Sequence, residues 1–168
     1  MAFSVKKSSI PHGSTISKKL PGAYYFDSYS FHTEQANRRA LQIWLDHASK
    51  MPKWVNFLMA WRNKIVSVMG LKNIGHLGDI DSKKPLDEYR VGDCVGIFTL
   101  LFLSDNEIIL ADSDKHLDVK VSVFKESSES KLISMSTVVH VHNFSGKLYT
   151  RYQSKCRISV GIKMALDK

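Results

Sequence analysis

The sequence predicts an α+β fold in which a curved antiparallel sheet grips a long C-terminal helix, with two helices inserted after the first strand. Three observations predict it. Residues 116–142 alternate apolar and polar side chains on either side of a short polar turn, which is the pattern of half-buried antiparallel strands. Residues 33–69 switch to apolar residues at helical spacing, which buries one stripe of each helix. Residues 143–168 read as one further helix that closes the chain.

Taken in order, residues 1–19 are rich in Ser and Lys and contain Pro11 and Gly13. Their sparse apolar pattern reads as a flexible basic tail before a single domain spanning residues 20–168. Leu20-Pro21-Gly22 signals a turn. Over residues 23–32, Tyr25, Asp27 and Tyr29 fall on one side and Tyr24, Phe26, Ser28 and Ser30 on the other, as in a strand. Thr33 is placed to cap a first helix, with Glu34 at the positive end of its dipole. The stripe of that helix is Ala36, Ala40, Leu41, Trp44, Leu45 and Ala48. Pro52 ends it and can open the next. There Trp54, Phe57, Leu58, Trp61, Ile65, Val68 and Met69 form a continuous stripe, and Gly70 suits the helix end.

Residues 70–93 read as a long loop, with Gly75, Gly78, Asp79, Asp81, Pro85 and Gly92. Residues 95–103 are almost uniformly apolar and read as a well-buried strand. Ser104-Asp105-Asn106 is a turn, and residues 107–111 form the returning strand. In the hairpin that follows, Leu117, Val119, Val121 and Val123 share a face, as do Ile133, Met135, Thr137, Val139 and Val141. Pairing Lys125 with Lys131 sets Val121 opposite Met135 and Val119 opposite Thr137. The apolar faces then coincide, and a one-residue slip would separate them. That register also sets His116 opposite His140, with Asp114 near His142. In the last helix Leu148, Tyr149, Tyr152, Cys156 and Val160 mark the buried stripe.

Three stretches carry a family resemblance. They are Trp61-Arg62-Asn63-Lys64-Ile65-Val66 leading to Gly70-Leu71-Lys72, the strand Asp114-Lys115-His116-Leu117-Asp118-Val119-Lys120-Val121-Ser122-Val123, and the run from Ser136 through His140 and His142 to Tyr149. Over roughly residues 22–168 the chain resembles a bacterial domain-of-unknown-function family, number 2867. The resemblance implies a START-like (helix-grip, SRPBCC) fold. Similar domains occur fused behind NAD(P)-binding, reductase-like domains, so it also implies a reductase as a partner. Where this chain has Ser154-Lys155-Cys156 the family has Pro-Phe-His, and any role of that histidine is missing here. The family has no settled activity.

Composition narrows the functional classes. A chain of 168 residues is one domain's length and buries about 70% of its unfolded surface. No apolar run approaches the roughly 20 residues of a membrane span. The N-terminus lacks the apolar core of a signal peptide, and Cys94 and Cys156 make neither a metal spacing nor a disulfide framework. A cytoplasmic location is the expectation. The net charge of +8 raises the question of anionic partners. The basic residues are dispersed and no aromatic-basic strand motif is present, so no nucleic-acid partner is expected. The Trp54-Phe57-Leu58-Trp61 stripe, flanked by Lys53, Arg62 and Lys64, has the composition of a peripheral membrane contact, but such stripes more often form core.

His116, His140 and His142 with Asp112, Asp114 and Asp118 have the ligand chemistry for zinc, iron or manganese. A hydrogen-bonded network on the polar face of the sheet explains them without a metal, and no cofactor is expected. Asp112-x-Asp114 is not a calcium loop, because Leu117 and Val123 stand where Gly and Glu are required. There is no nucleophile elbow, and Gly75-His76-Leu77-Gly78 lacks the Lys-Ser/Thr of a phosphate loop. No dinucleotide fingerprint is present, so a reductase role would need a second chain. What stays open is a cavity between sheet and terminal helix. It would be lined by Val119, Val121, Met135, Thr137 and Val139, facing Tyr149, Tyr152 and Cys156. Such a cavity binds a small apolar or amphipathic ligand. Alternatively it serves a cyclase- or hydrolase-like enzyme, or the domain is an interaction module for a reductase. A polar group pointing into the cavity would favour the enzyme, and Trp54, Trp61 and Phe98 compete to fill the space.

Overall fold

In a computed structural model, residues 5–33, 37–49, 84–113, 117–126 and 131–142 are described. Among the described residues, seven strands make one curved antiparallel sheet: β1 (Lys6–Lys7), β2 (Tyr25–His32), β3 (Cys94–Val95), β4 (Phe98–Leu103), β5 (Glu107–Ser113), β6 (Leu117–Lys125) and β7 (Leu132–Val141). Their order is β1-β2-β7-β6-β5-β4-β3. The C-terminal four strands form the meander expected from the alternation. β2 closes onto its last strand, pairing Tyr25 with Val139 through His32 with Leu132. β3 and β4 are joined by Gly96 and Ile97, and Gly96 takes a φ of 62°. Two-residue hairpin turns need a positive φ at such a position, and glycine adopts it without strain. Between Leu100 and Phe102 a bulge shifts the register, and Leu101 is exposed there.

The single α-helix among the described residues, α1 (Ala40–Ser49), lies on one face of the sheet and contacts β5 and β6. Ala40, Leu41, Ile43, Trp44 and Ala48 are buried against Phe31, Leu100, Ile108, Leu110, Val121, Val123, Ile133 and Met135. Trp44 meets Phe98 edge-on at 5.8 Å. Lys125 ties the helix start to β6 by donating from Nζ to the Arg38 carbonyl at 2.8 Å. Thr33 does not cap this helix. Its amide donates to the Lys131 carbonyl, which continues the β2–β7 pairing, and the α-helix begins at Ala40.

The hairpin register differs from the sequence reading by two residues. Val123 faces Met135, Val121 faces Thr137 and Val119 faces Val139. Lys131 has a φ of 51° and belongs to the turn, so the ladder closes at Lys125–Ile133. A two-residue shift preserves the faces, which is why the apolar sides still coincide. It places Asp118, not His116, opposite His140.

Residues 5–19, read from sequence as a flexible tail, pack across the second face of the sheet. Lys6 and Lys7 pair with Ser30 and Tyr29. Ile10 and Ile16 are buried with Ile109 and Val138. Two isoleucines are a weak hydrophobic signal, and the serines around them suggest solvent. Those serines instead answer polar groups on the sheet. The polar side of β6 and β7 is therefore covered, with Ser122, Ser134 and Ser136 buried. The second helix predicted over residues 53–69, the loop over 70–83 and the terminal helix over 143–168 lie outside the described residues, as do Asp114 and His116.

Candidate functional site

The structure places Val119, Val121, Met135, Thr137 and Val139 on one face of two neighbouring strands, the face that carries α1. Val121, Met135, Thr137 and Val139 are buried and Val119 is partly so. Tyr149, Tyr152 and Cys156 lie outside the described residues. One residue that the sequence reading left out joins the group. Asp27 of β2 pairs with Thr137, which in turn pairs with Val121. Asp27 is 5% exposed, and Tyr25 Oη donates to its Oδ2 at 2.9 Å. A carboxyl group and a hydroxyl thus sit side by side among the apolar residues of this face, which also carries Asp112, opposite Val119, and Lys125, opposite Ile133. The available signal was an acid between two tyrosines at period-two positions. That signal is not decisive by itself, because nothing in β2 alone says which side is core.

The opposite face holds a second buried acid. Glu107, 3% exposed, opens β5. Its Oε1 accepts from Ser14 Oγ at 2.5 Å, from Ser122 Oγ at 2.9 Å and from the Ile16 amide at 3.3 Å. Its Oε2 accepts from the Thr15 amide at 2.6 Å. An ionised carboxylate only accepts, so four donors match it. Beside it a chain of hydroxyls crosses from the N-terminal segment into the sheet. Ser30 donates to Ser8 at 2.7 Å and Ser8 donates to Ser28 at 3.3 Å. Each hydroxyl has one proton, so Ser134 donates to Ser30 at 2.8 Å. Ser28 and Ser136 are 2.9 Å apart. These serines bond one another, and among the described residues no histidine partners them as the base of an activated nucleophile. Their chemistry is that of a clamp.

At one end of this face Asp118 accepts from Ser113 Oγ and lies 3.3 Å from His142 Nε2 and 3.4 Å from Lys120 Nζ. Burial raises its pKa, but the bonds from Ser113 and His142 and the charge of Lys120 outweigh this and hold it below the ordinary carboxylate value. His140 Nε2 donates to the Pro21 carbonyl at 3.3 Å, and its buried Nδ1 has no hydrogen-bond partner among the described residues. Among the described residues no group of three or more His, Cys, Asp or Glu is set to hold a metal ion. A cleft of about 370 Å³ beside α1 is lined by Arg39, Asp87, Tyr89, Arg90 and Asp105. Arg39 there pairs with both Asp87 and Asp105, so its charge is already matched.

Over residues 19–152 the chain matches a family described as a protein of unknown function, DUF2867. The chain belongs to this family. No curated protein and no solved structure matches it. The region matched to DUF2867 runs through β2 to β7 and so contains Asp27, Glu107, Asp118 and Thr137. Ser8, Ser14, Ile10 and Ile16 fall before it, and the Glu107 clamp joins that preceding segment to the DUF2867 region. No helix among the described residues is long and apolar enough to cross a membrane.

Proposed function

We propose that this DUF2867 chain is a START-like small-ligand-binding domain that takes an apolar or amphipathic molecule against the α1 face of its sheet. The observation that carries this reading is the Asp27–Thr137 pair, a buried carboxylate and hydroxyl on an apolar face. Burying a carboxyl group costs stability, and such departures from an apolar core concentrate at functional sites. Ligand sites are mostly apolar with a few placed polar groups that orient the molecule. Val119, Val121, Met135 and Val139 supply the apolar wall, and Tyr149 and Tyr152 are the proposed opposite side. A hydrogen-bonding end of the ligand would lie at Asp27 and Thr137 and its apolar body along the valines.

The same carboxylate favours one second reading. Within hydrogen-bond reach of a bound molecule, Asp27 would serve as a general base or acid, giving a cyclase- or hydrolase-like enzyme. Association with an NAD(P)-dependent reductase in the cytoplasm is the proposal left if no small molecule is found.

Native mass spectrometry of the purified full chain tests the reading. A discrete added mass that disappears on mild denaturation is expected. If that mass is stable in the wild type, the domain binds. If it is converted on standing by the wild type but not by Asp27→Asn, the domain is an enzyme. A chain that carries no added mass and takes up none from a lipid extract contradicts both readings.

A further inference from the structure

Independently of that reading, the start of β2 gathers exposed aromatics and exposed lysines. The 3₁₀ turn Thr15–Lys19 ends in Lys18 and Lys19, both exposed. The chain then reverses. The Ala23 amide donates to the Leu20 carbonyl at 3.0 Å, and Gly22 takes a φ of 76°. It emerges into Tyr24, Tyr25 and Phe26, which are 46%, 36% and 57% exposed. The tip is held in place, not frayed. The Tyr24 amide donates to the Val139 carbonyl at 2.8 Å, and His140 Nε2 holds the Pro21 carbonyl. Its charge has one sign. Between residues 5 and 33 the lysines are Lys6, Lys7, Lys18 and Lys19, all exposed, and the sole acid is Asp27, which is buried.

We propose that this tip docks on an anionic lipid surface, with Lys18 and Lys19 at the phosphate layer and Tyr24 and Phe26 at the boundary of headgroups and acyl chains. Aromatic rings backed by lysines match that boundary in both polarity and charge. Three successive aromatics on a strand alternate between its two faces. Tyr24 and Phe26 therefore share one face and Tyr25 lies on the other, so the tip presents aromatic surface on both sides, as burial at a lipid boundary uses.

Co-sedimentation of the full chain with phosphatidylcholine vesicles, with and without phosphatidylserine, tests the proposal. The chain binds the phosphatidylserine vesicles, binds those of phosphatidylcholine alone far less, and is released by salt. Lys18→Gln with Lys19→Gln weakens binding about thirtyfold, the combined worth of two lysines at an anionic surface. Tyr24→Ser with Phe26→Ser weakens it as well, while both variants keep the wild-type melting temperature. Should the aromatic variant melt early, the lysine variant decides. Absence of binding to the anionic vesicles overturns the proposal, as does undiminished binding by the variants. Retention of a single-stranded oligonucleotide without vesicle binding, or a self-association lost in Tyr24→Ser with Phe26→Ser and unaccompanied by vesicle binding, overturns it too.

Discussion

Glu107 shows what a single side chain can hold. Its two oxygens answer the donors of Ser14, Thr15, Ile16 and Ser122. In Glu107→Gln one acceptor becomes an NH2 group, and a donor then faces a donor. The expected cost is about 1–3 kcal/mol, the penalty of leaving a buried polar group unmatched, and urea unfolding measures it. Nothing in the sequence marks this residue, because an acid that opens a strand after a turn normally faces water. Asp118 carries a pH dependence of definite sign. Its folded pKa is depressed, so its stabilising effect is complete above the unfolded value of about 4 and is lost as the pH falls through the lower folded value. Asp118→Asn should therefore lower stability in the neutral region, flatten the acid side of the profile and match the wild type most closely at the lowest pH. The His142 and Ser113 partners are exposed, so solvent screens these pairs and the effect is about 1 kcal/mol or less. An acid limb as steep in the variant as in the wild type would assign the loss to other carboxylates.

At the scale of elements, the segment over residues 5–19 departs most from its sequence reading. Composition pointed to solvent because serine and lysine outnumber apolar residues there, and contacts made at long sequence separation leave no local pattern. Ile10 and Ile16 bury their side chains across the sheet, and Ser8 and Ser14 complete its hydrogen bonds. Removing residues 1–19 uncovers Ile109, Val138 and the buried serines. The melting temperature of the truncated chain should fall by on the order of 10 °C, from the loss of two buried isoleucines and their neighbouring bonds. An unchanged midpoint would mean that the segment adds nothing to stability. The hairpin of β6 and β7 was far more legible. Alternation identifies both strands and both faces, because a half-buried strand must repeat with period two. The register escaped by two residues because the left-handed Lys131 lengthens the turn, and alternation is blind to an even shift.

Across the whole molecule, the antiparallel sheet and the α+β class followed from local periodicity, and membership of DUF2867 followed from the residues of the hairpin. Partnerships between distant segments did not follow. β2 lies beside β7, and only that pairing brings Asp27 to Thr137 and makes a polar centre on the apolar face. Five of the residues expected to line a site share this face, and Asp27 is the addition that gives the group a chemistry. The account stands or falls on whether the face admits a guest. Titration of an apolar fluorescent probe into the wild type and Thr137→Trp tests this most directly. The account predicts saturable uptake by the wild type and none by the variant, whose indole occupies the site while its melting temperature stays near that of the wild type. No uptake by the wild type, together with a variant destabilised by about 1–3 kcal/mol through overpacking, would show a filled core and contradict the account.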